Sequence, residues 1–347
     1  MIKVGIIGAS YGGGELLRLL IGHPGAGVTY FASETFKGQS LASVYPNMRG
    51  FLDLTCEGYD PQTAIEKCDV VFMAQHQGWA MHEAAAFLSA GVKIIDLSAD
   101  FRLRDVDVYE QWYKIKHETP EMIGKAVYGL PEMYREQIAG AGLVANPGCY
   151  VTCALLALMP LFKNSLVDTS TIVLDSKSGV SGAGRSSFKL DYHYPEMNES
   201  MKAYNVGVHR HTPEIEQELS VMSGSPVVVS FTPHLIPITR GIHTTAYATL
   251  LDKGQSTEQI LDVYKAAYAS EPFVSILDAG EYPSTKAVAG SNACHIGAKV
   301  DPRTGRVVVL AVIDNLVKGM SGMAIQNMNL MFGIDETTGL MGPGVYP

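Results

Sequence analysis

Short apolar runs alternate with amphipathic stretches through residues 1–148. Ile2–Ile7 predicts a strand, followed by a glycine-rich turn and a helix carried by Leu16, Leu17, Leu19 and Leu20. Val28–Ala32, Val70–Ala74, Lys93–Leu97 and Leu143–Ala145 predict further strands, with a helix between the second and third of these from about Trp79 to Ala90. This strand–helix–strand rhythm predicts a parallel, doubly wound, Rossmann-like sheet with right-handed crossovers, which places a ligand at the carboxyl ends of its strands.

Past residue 148 the pattern changes. A helix over about 150–162 leads into longer, near-alternating runs rich in Val, Ile and Thr: Thr171–Ser176, Val227–Pro233, Ile242–Leu250 and Arg306–Asp314. These predict a mostly antiparallel sheet, with helices over about 213–222 and 257–269 covering one face. A last helical stretch, about Met320–Met331, is expected to pack back on the first domain. The chain therefore reads as α/β: a doubly wound domain over 1–148 and an α+β domain over 149–318, with the C-terminal segment 319–347 as a helix returning to the first.

Composition narrows the partners. Hydrophobic residues make 47% of the 347 and charged residues 18%, which fits a folded chain with a large core. Thirty-five acids against 26 bases give a net charge of −9, which argues against a nucleic-acid binder. Neither a secretory leader nor an apolar run of membrane-spanning length is visible, so a cytoplasmic protein is expected. Cysteines 56, 68, 149, 153 and 294 are scattered and odd in number, as reduced thiols are, and no Cys/His spacing suggests a metal.

Several motifs carry chemistry. Gly8-Ala9-Ser10-Tyr11-Gly12-Gly13-Gly14 sits between a strand and a helix, the context for a dinucleotide phosphate at a helix N-terminus. After the second strand, Ser33-Glu34-Thr35-Phe36-Lys37 offers an acid suited to a ribose hydroxyl and a base suited to a 2′-phosphate, so the choice of cofactor stays open. Asn146-Pro147-Gly148 forces a turn before Cys149, at the expected start of a helix, where unpaired N–H groups favour a thiolate nucleophile. His209-Arg210-His211-Thr212-Pro213-Glu214 precedes another helix and supplies a candidate proton partner. Lys177–Arg185 contains glycines that let the backbone approach a flat ligand, and Arg102 and Arg240 follow apolar strands as candidate anion clamps.

Together with Asp96–Arg102, Tyr128–Glu132, Asn146–Tyr150 and Asp314–Gly319, these segments resemble, over nearly the whole chain, the N-acetyl-γ-glutamyl-phosphate reductase family, a relative of aspartate-semialdehyde dehydrogenase. The resemblance implies an NADPH-binding domain and a catalytic, oligomerisation domain forming homodimers or homotetramers. It implies Cys149 as nucleophile, His209 as acid/base, and Arg102, Arg240, His211 and Glu214 at the substrate. Gly8, Ser10, Tyr11, Gly12, Gly13, Ser33, Lys37, Ser178, Gly179 and Asn315 are then expected at the cofactor. The chain departs from the family pattern in lacking a glycine directly after Ser10, in carrying Glu34 where many members have Arg, and in Val151 where Pro is usual. Reductases of carrier-bound aminoadipyl phosphate or of aspartyl phosphate are the neighbouring alternatives. A cysteine hydrolase or acyltransferase, or a nucleotide sensor without catalysis, would be a different class.

Overall fold

Six parallel strands carry the first unit of the computed structural model: β1 (Ile2–Ile7), β2 (Ala26–Ala32), β3 (Val70–Met73), β4 (Lys93–Asp96), β5 (Ala126–Tyr128) and β6 (Leu143–Ala145). Their order is β2-β1-β3-β4-β6-β5, and every neighbouring pair is parallel. Residues 1–346 are described, in two compact units: Met1–Pro147 with Met320–Gly342, and Gly148–Gly319 with the segment from Pro343. The four residues of β3 are fully buried, as a strand covered on both faces must be. Helices α1 (Tyr11–Ile21), α2 (Pro61–Lys67), α3 (Ala80–Ser89), α4 (Val106–Tyr113) and α5 (Pro131–Ala139) accompany the sheet. The hydrophobic pattern missed α2 because Ala64 is its one buried residue, which leaves no apolar stripe to read.

The second unit opens with α6 (Cys149–Lys163), whose residues 150–162 are all buried. Its sheet has seven strands: β7 (Val167–Ser178), β8 (Lys202–Ala203), β9 (Ser230–Leu235), β10 (Ile242–Leu250), β11 (Val274–Ile276), β12 (Cys294–Asp301) and β13 (Arg306–Ile313). They run β11-β12-β13-β10-β7-β9-β8. The expected antiparallel pairing holds through the centre, but β7 with β9 and β11 with β12 are parallel, so the sheet is mixed. Helix α6 packs on β7, β10 and β13, and α7 (Thr212–Ser223) and α8 (Thr257–Ala267) pack beside it.

Pro160 lies inside α6 and cannot donate to the carbonyl of Leu156, one turn back. The Tyr268 hydroxyl, just past α8, donates to that carbonyl at 2.6 Å, and Tyr264 donates to the next one, Ala157, at 2.5 Å. The helix thus keeps its buried acceptors satisfied.

A π-helical turn, Val317–Ser321, leads into α9 (Gly322–Met331), which returns to the first unit. The expected helix to residue 347 stops at Met331. Gly333, at φ +65°, ends it, and the Ile334 N–H returns to the Asn329 carbonyl at 2.8 Å. The turns beyond are tied by Asn329, whose amide donates to the carbonyls of Glu336 (3.3 Å) and Thr338 (2.9 Å).

Candidate functional site

In the first unit the turn after β1 is built for close approach. Gly8 sits at φ +122°, and a Cβ there would lie 2.3 Å from the Ala74 carbonyl oxygen. Ser10 caps α1, its hydroxyl accepting the Gly13 N–H at 3.1 Å, which leaves the Tyr11 and Gly12 N–H groups of the first turn without an acceptor in the helix. The Tyr45 hydroxyl donates to the Ser10 carbonyl at 2.7 Å. The other glycines answer to packing: a Cβ on Gly12 would meet Met320 at 2.6 Å, one on Gly13 the Gly8 carbonyl at 2.3 Å, and one on Gly14 the Tyr45 ring at 2.5 Å. A main-chain cradle of this kind at a helix N-terminus fits a dinucleotide's phosphates.

Past β2 the ambiguous acid and base separate. Glu34 Oε1 accepts the Tyr59 N–H at 2.6 Å, which commits the acid to a neighbouring loop. Lys37 is exposed, its stem beside Gly58. Ser33 is buried, and its N–H donates to Glu57.

Arg102 belongs to a buried charged turn after β4. Its Nη2 donates to the Leu97 carbonyl at 2.9 Å. Asp100 is fully buried and accepts from Gly78 N (2.7 Å), Met81 N (3.1 Å) and the Tyr109 hydroxyl (2.9 Å). Burial, and then Asp100, push the Asp96 carboxyl up.

In the second unit Cys149 is the first residue of α6, and Gly148 is its N-cap. The other four cysteines are buried; Cys149 is half-buried. Burial pushes the Cys153 thiol up to about 12 and the Cys68 thiol up to about 11, which leaves both inert near neutrality. Two glycines seat Cys149. A Cβ on Gly319 would lie 2.9 Å from the Cys149 Cβ, and one on Gly148 would lie 2.5 Å from His211 Nε2.

His209, His211 and Glu214 gather at this helix start. The His209 ring is buried among Tyr150, Tyr204 and Phe231, with centroids 5.3–5.6 Å away. Its Nδ1 accepts the His211 N–H at 3.1 Å. Burial, and then Arg210, pull its pKa down to about 4, so the ring is neutral. The His211 ring lies 4.8 Å from it, on the Gly148 side. Glu214, fully buried, accepts the Gly148 N–H at 2.9 Å. Tyr204 donates to the Tyr150 hydroxyl (3.1 Å), which donates to the His234 carbonyl (3.3 Å). Sequence reading took Tyr150 only as part of the cysteine motif and missed Tyr204 and Phe231; Tyr204 lies five residues before His209, whereas nothing in the sequence joins Phe231 to that ring.

Ser178, Gly179, Arg240 and Asn315 form a second group. Asn315 is buried and used at both ends of its amide, accepting from Gly241 N (2.8 Å) and donating to Ser181 Oγ (3.0 Å). A Cβ on Gly179 would meet the Thr239 carbonyl oxygen at 2.7 Å, and the Ser178 hydroxyl donates to the Gly179 carbonyl at 2.9 Å. Arg240 pairs at 3.2 Å with Asp314, a buried carboxylate that also accepts from Gly290 N (2.6 Å) and Leu316 N (2.8 Å). Among the described residues no cluster of His, Cys, Asp and Glu could hold a metal, and no helix is long and apolar enough to cross a membrane.

Known proteins share both units. The family model of the semialdehyde dehydrogenase NAD binding domain matches residues 3–141, and that of the semialdehyde dehydrogenase dimerisation domain matches 149–315. The fold is that of aspartate semialdehyde dehydrogenase II from Vibrio cholerae, at TM-score 0.73 and 17% identity over 96% of this chain and 99% of that one. It is also that of the aspartate semialdehyde dehydrogenase with NADP from Candida albicans, at TM-score 0.70 and 14% identity, covering 96% and 98% of the two chains. Proteins named N-acetyl-gamma-glutamyl-phosphate reductase are far nearer in sequence. That of Symbiobacterium thermophilum is 56% identical over 100% of this chain and 99% of its own. That of Pelotomaculum thermopropionicum is 54% identical over the same shares. Identity of this depth over full length, with both domain models in order, bears out the resemblance read from the motifs: the chain belongs to the N-acetyl-γ-glutamyl-phosphate reductase family of the semialdehyde dehydrogenases.

Proposed function

We propose that the protein catalyses the reductive dephosphorylation of N-acetyl-γ-glutamyl phosphate to N-acetylglutamate semialdehyde, a step of arginine biosynthesis, through a thioester on Cys149. The supporting observation is the helix start itself: a half-buried thiol at the first position of α6, with an imidazole packed against the residue before it. The names of the full-length relatives favour this substrate over a carrier-bound aminoadipyl or an aspartyl phosphate.

The Cys149 thiolate attacks the acyl carbon and phosphate leaves. First-turn N–H groups of α6 stabilise the oxyanion of the tetrahedral species. NADPH, when bound, would supply the hydride that reduces the thioester. His211, with its ring beside Gly148, exchanges the proton with the oxygen of the resulting thiohemiacetal, whose C–S bond then breaks to release the semialdehyde and return Cys149 as the thiolate. The acid/base role expected of His209 passes to His211 in this scheme, because the His209 ring is buried, neutral and engaged through Nδ1. His209 then supports the loop. Arg240 and, in the first unit, Arg102 are proposed as anion binders, each held by its own turn. Asn315 shapes the loop of Ser178 and Gly179 through Ser181 and Gly241 rather than offering its amide to a ligand.

The residues of the first unit fit the cofactor. Gly8, Ser10, Tyr11, Gly12 and Gly13 would hold its pyrophosphate, and Ser33 and Lys37 the adenosine side. With Glu34 committed to Tyr59, the exposed Lys37 favours the 2′-phosphate of NADPH. The match to a dimerisation domain supports a homodimer or homotetramer built on residues 149–318, and five free cysteines fit a cytoplasmic setting.

The test follows NADPH absorbance during turnover of N-acetyl-γ-glutamyl phosphate, with Cys149→Ser beside the wild type. The expected result is turnover in the wild type and none above background in the variant. Substantial turnover by Cys149→Ser would rule out the covalent route.

A further inference from the structure

Glu214 was expected to touch substrate. Its geometry gives it another task. It is the third residue of α7, where an acid suits the helix dipole, and N-cap His211 precedes that helix. In a capping box an acid at this position bonds back to the N–H of its own N-cap. Here the His211 N–H is already taken by His209 Nδ1 at 3.1 Å. The Glu214 carboxylate instead reaches 66 residues back along the chain and accepts the Gly148 N–H at 2.9 Å. Gly148 caps α6, the helix that Cys149 begins. The absence of a Cβ on Gly148 admits the His211 ring, which stands 2.5 Å from where that carbon would be.

We infer that Glu214 is a positioning residue: its buried carboxylate fastens the first turn of α7, with His211, to the first turn of α6, with Cys149, and so fixes the thiol–imidazole separation. The inference rests on the reading of Cys149 as nucleophile. It deepens that reading by naming what sets the geometry of the pair. The titratable groups around the thiol are Tyr150 and Cys153 on α6, Tyr204 from the loop between β8 and α7, and His209, His211 and Glu214 from the α7 side. A carboxylate acting there by charge alone would disfavour the thiolate, so its loss would lower the pH at which Cys149 ionises. A carboxylate acting by position has the opposite sign, because its loss separates the thiolate from its imidazole partner.

The experiment alkylates the full-length protein with iodoacetamide across pH, without cofactor or substrate, and measures kcat and KM in parallel. Cys149→Ala defines the background; labelling that persists in it refutes the nucleophile itself, independently of Glu214. Glu214→Asp keeps the charge but is one methylene too short to reach Gly148. It is expected to raise the alkylation inflection by about one pH unit and to cut kcat about tenfold or more, with KM within about twofold. Glu214→Gln keeps an acceptor oxygen at the same reach and is expected to stay within about threefold of wild-type kcat, a loss smaller than that of one positioned hydrogen bond. The proposal is overturned by a wild-type profile in Glu214→Asp, by an inflection that falls, by Glu214→Gln failing as badly as Glu214→Asp, or by a change confined to KM.

Discussion

The first unit presents main-chain groups where the second presents side chains. At the end of β1, a left-handed glycine, a serine cap and the first turn of α1 make a surface of N–H groups. At the start of α6, Cys149, His211 and Glu214 come from two helices, packed around two glycines that lack the carbons which would keep them apart. A site made of backbone is spoiled by adding atoms, and its fold suffers with it. A site made of side chains is spoiled by removing atoms, and its fold need not notice.

The sharpest test of that contrast is at Cys149. Cys149→Ala deletes one sulfur, and turnover should fall at least about 10³-fold, while the urea midpoint stays near wild type; a matching loss of stability would erase the distinction. Gly8→Ala adds one carbon 2.3 Å from the Ala74 oxygen at φ +122°. It should cost about 3 kcal/mol of stability or more in urea unfolding, before any effect on NADPH binding is considered.

Acidity separates the units by sign. The neutral His209 has a folded pKa of about 4 against an ordinary 6.5, so its stabilisation is present above pH 6.5 and lost as pH falls towards 4. The full swing is about 3 kcal/mol. Asp96 is raised instead, by burial and by Asp100, so its stabilisation is complete in acid, below the ordinary carboxylate range, and lost as pH rises. Amide hydrogen exchange, read separately over each unit, should show opposite pH slopes, flattened by His209→Asn in the second unit and by Asp96→Asn in the first. Equal slopes in the two units would contradict both assignments. The smallest effect is expected at the surface: Lys37→Glu should raise the KM for NADPH about tenfold, or 1.4 kcal/mol, and leave that for NADH nearly unchanged.

What could be read from the residues alone follows the same division. The phosphate loop lies within a few residues of the chain, so Gly8 to Gly14 announce it. Cys149 was visible because Asn146-Pro147-Gly148 marks its turn locally. Its seat was not, since Gly319 reaches it from the far end of the second unit. Glu214 was legible as a residue but not as a bond to Gly148, and Arg240 gave no sign of its partner Asp314. Strands β10 and β13 show near-alternation; β12 does not read as a strand because Gly297 interrupts it. That glycine is required where the Glu281 carbonyl comes within 2.8 Å of the position a Cβ would take. The proposed exchange of the proton role between two histidines two residues apart rests on the burial of one ring, which no sequence spacing encodes.

The repair at Pro160 has a consequence for how the chain reaches this state. Helix α6 begins with the proposed nucleophile, Cys149, and has at its middle a carbonyl, that of Leu156, whose donor, Tyr268, is 112 residues away in sequence. Nascent α6 therefore has an unmet acceptor at its middle until α8 and the Tyr268 that follows it have been synthesised and docked. A helix whose completion waits on so distant a partner favours late consolidation, because long loops must close before their contacts are gained. The segment bearing Cys149 would then be among the last parts of its unit to become rigid, and newly made chains would acquire a competent thiol only when most of the second unit is already in place.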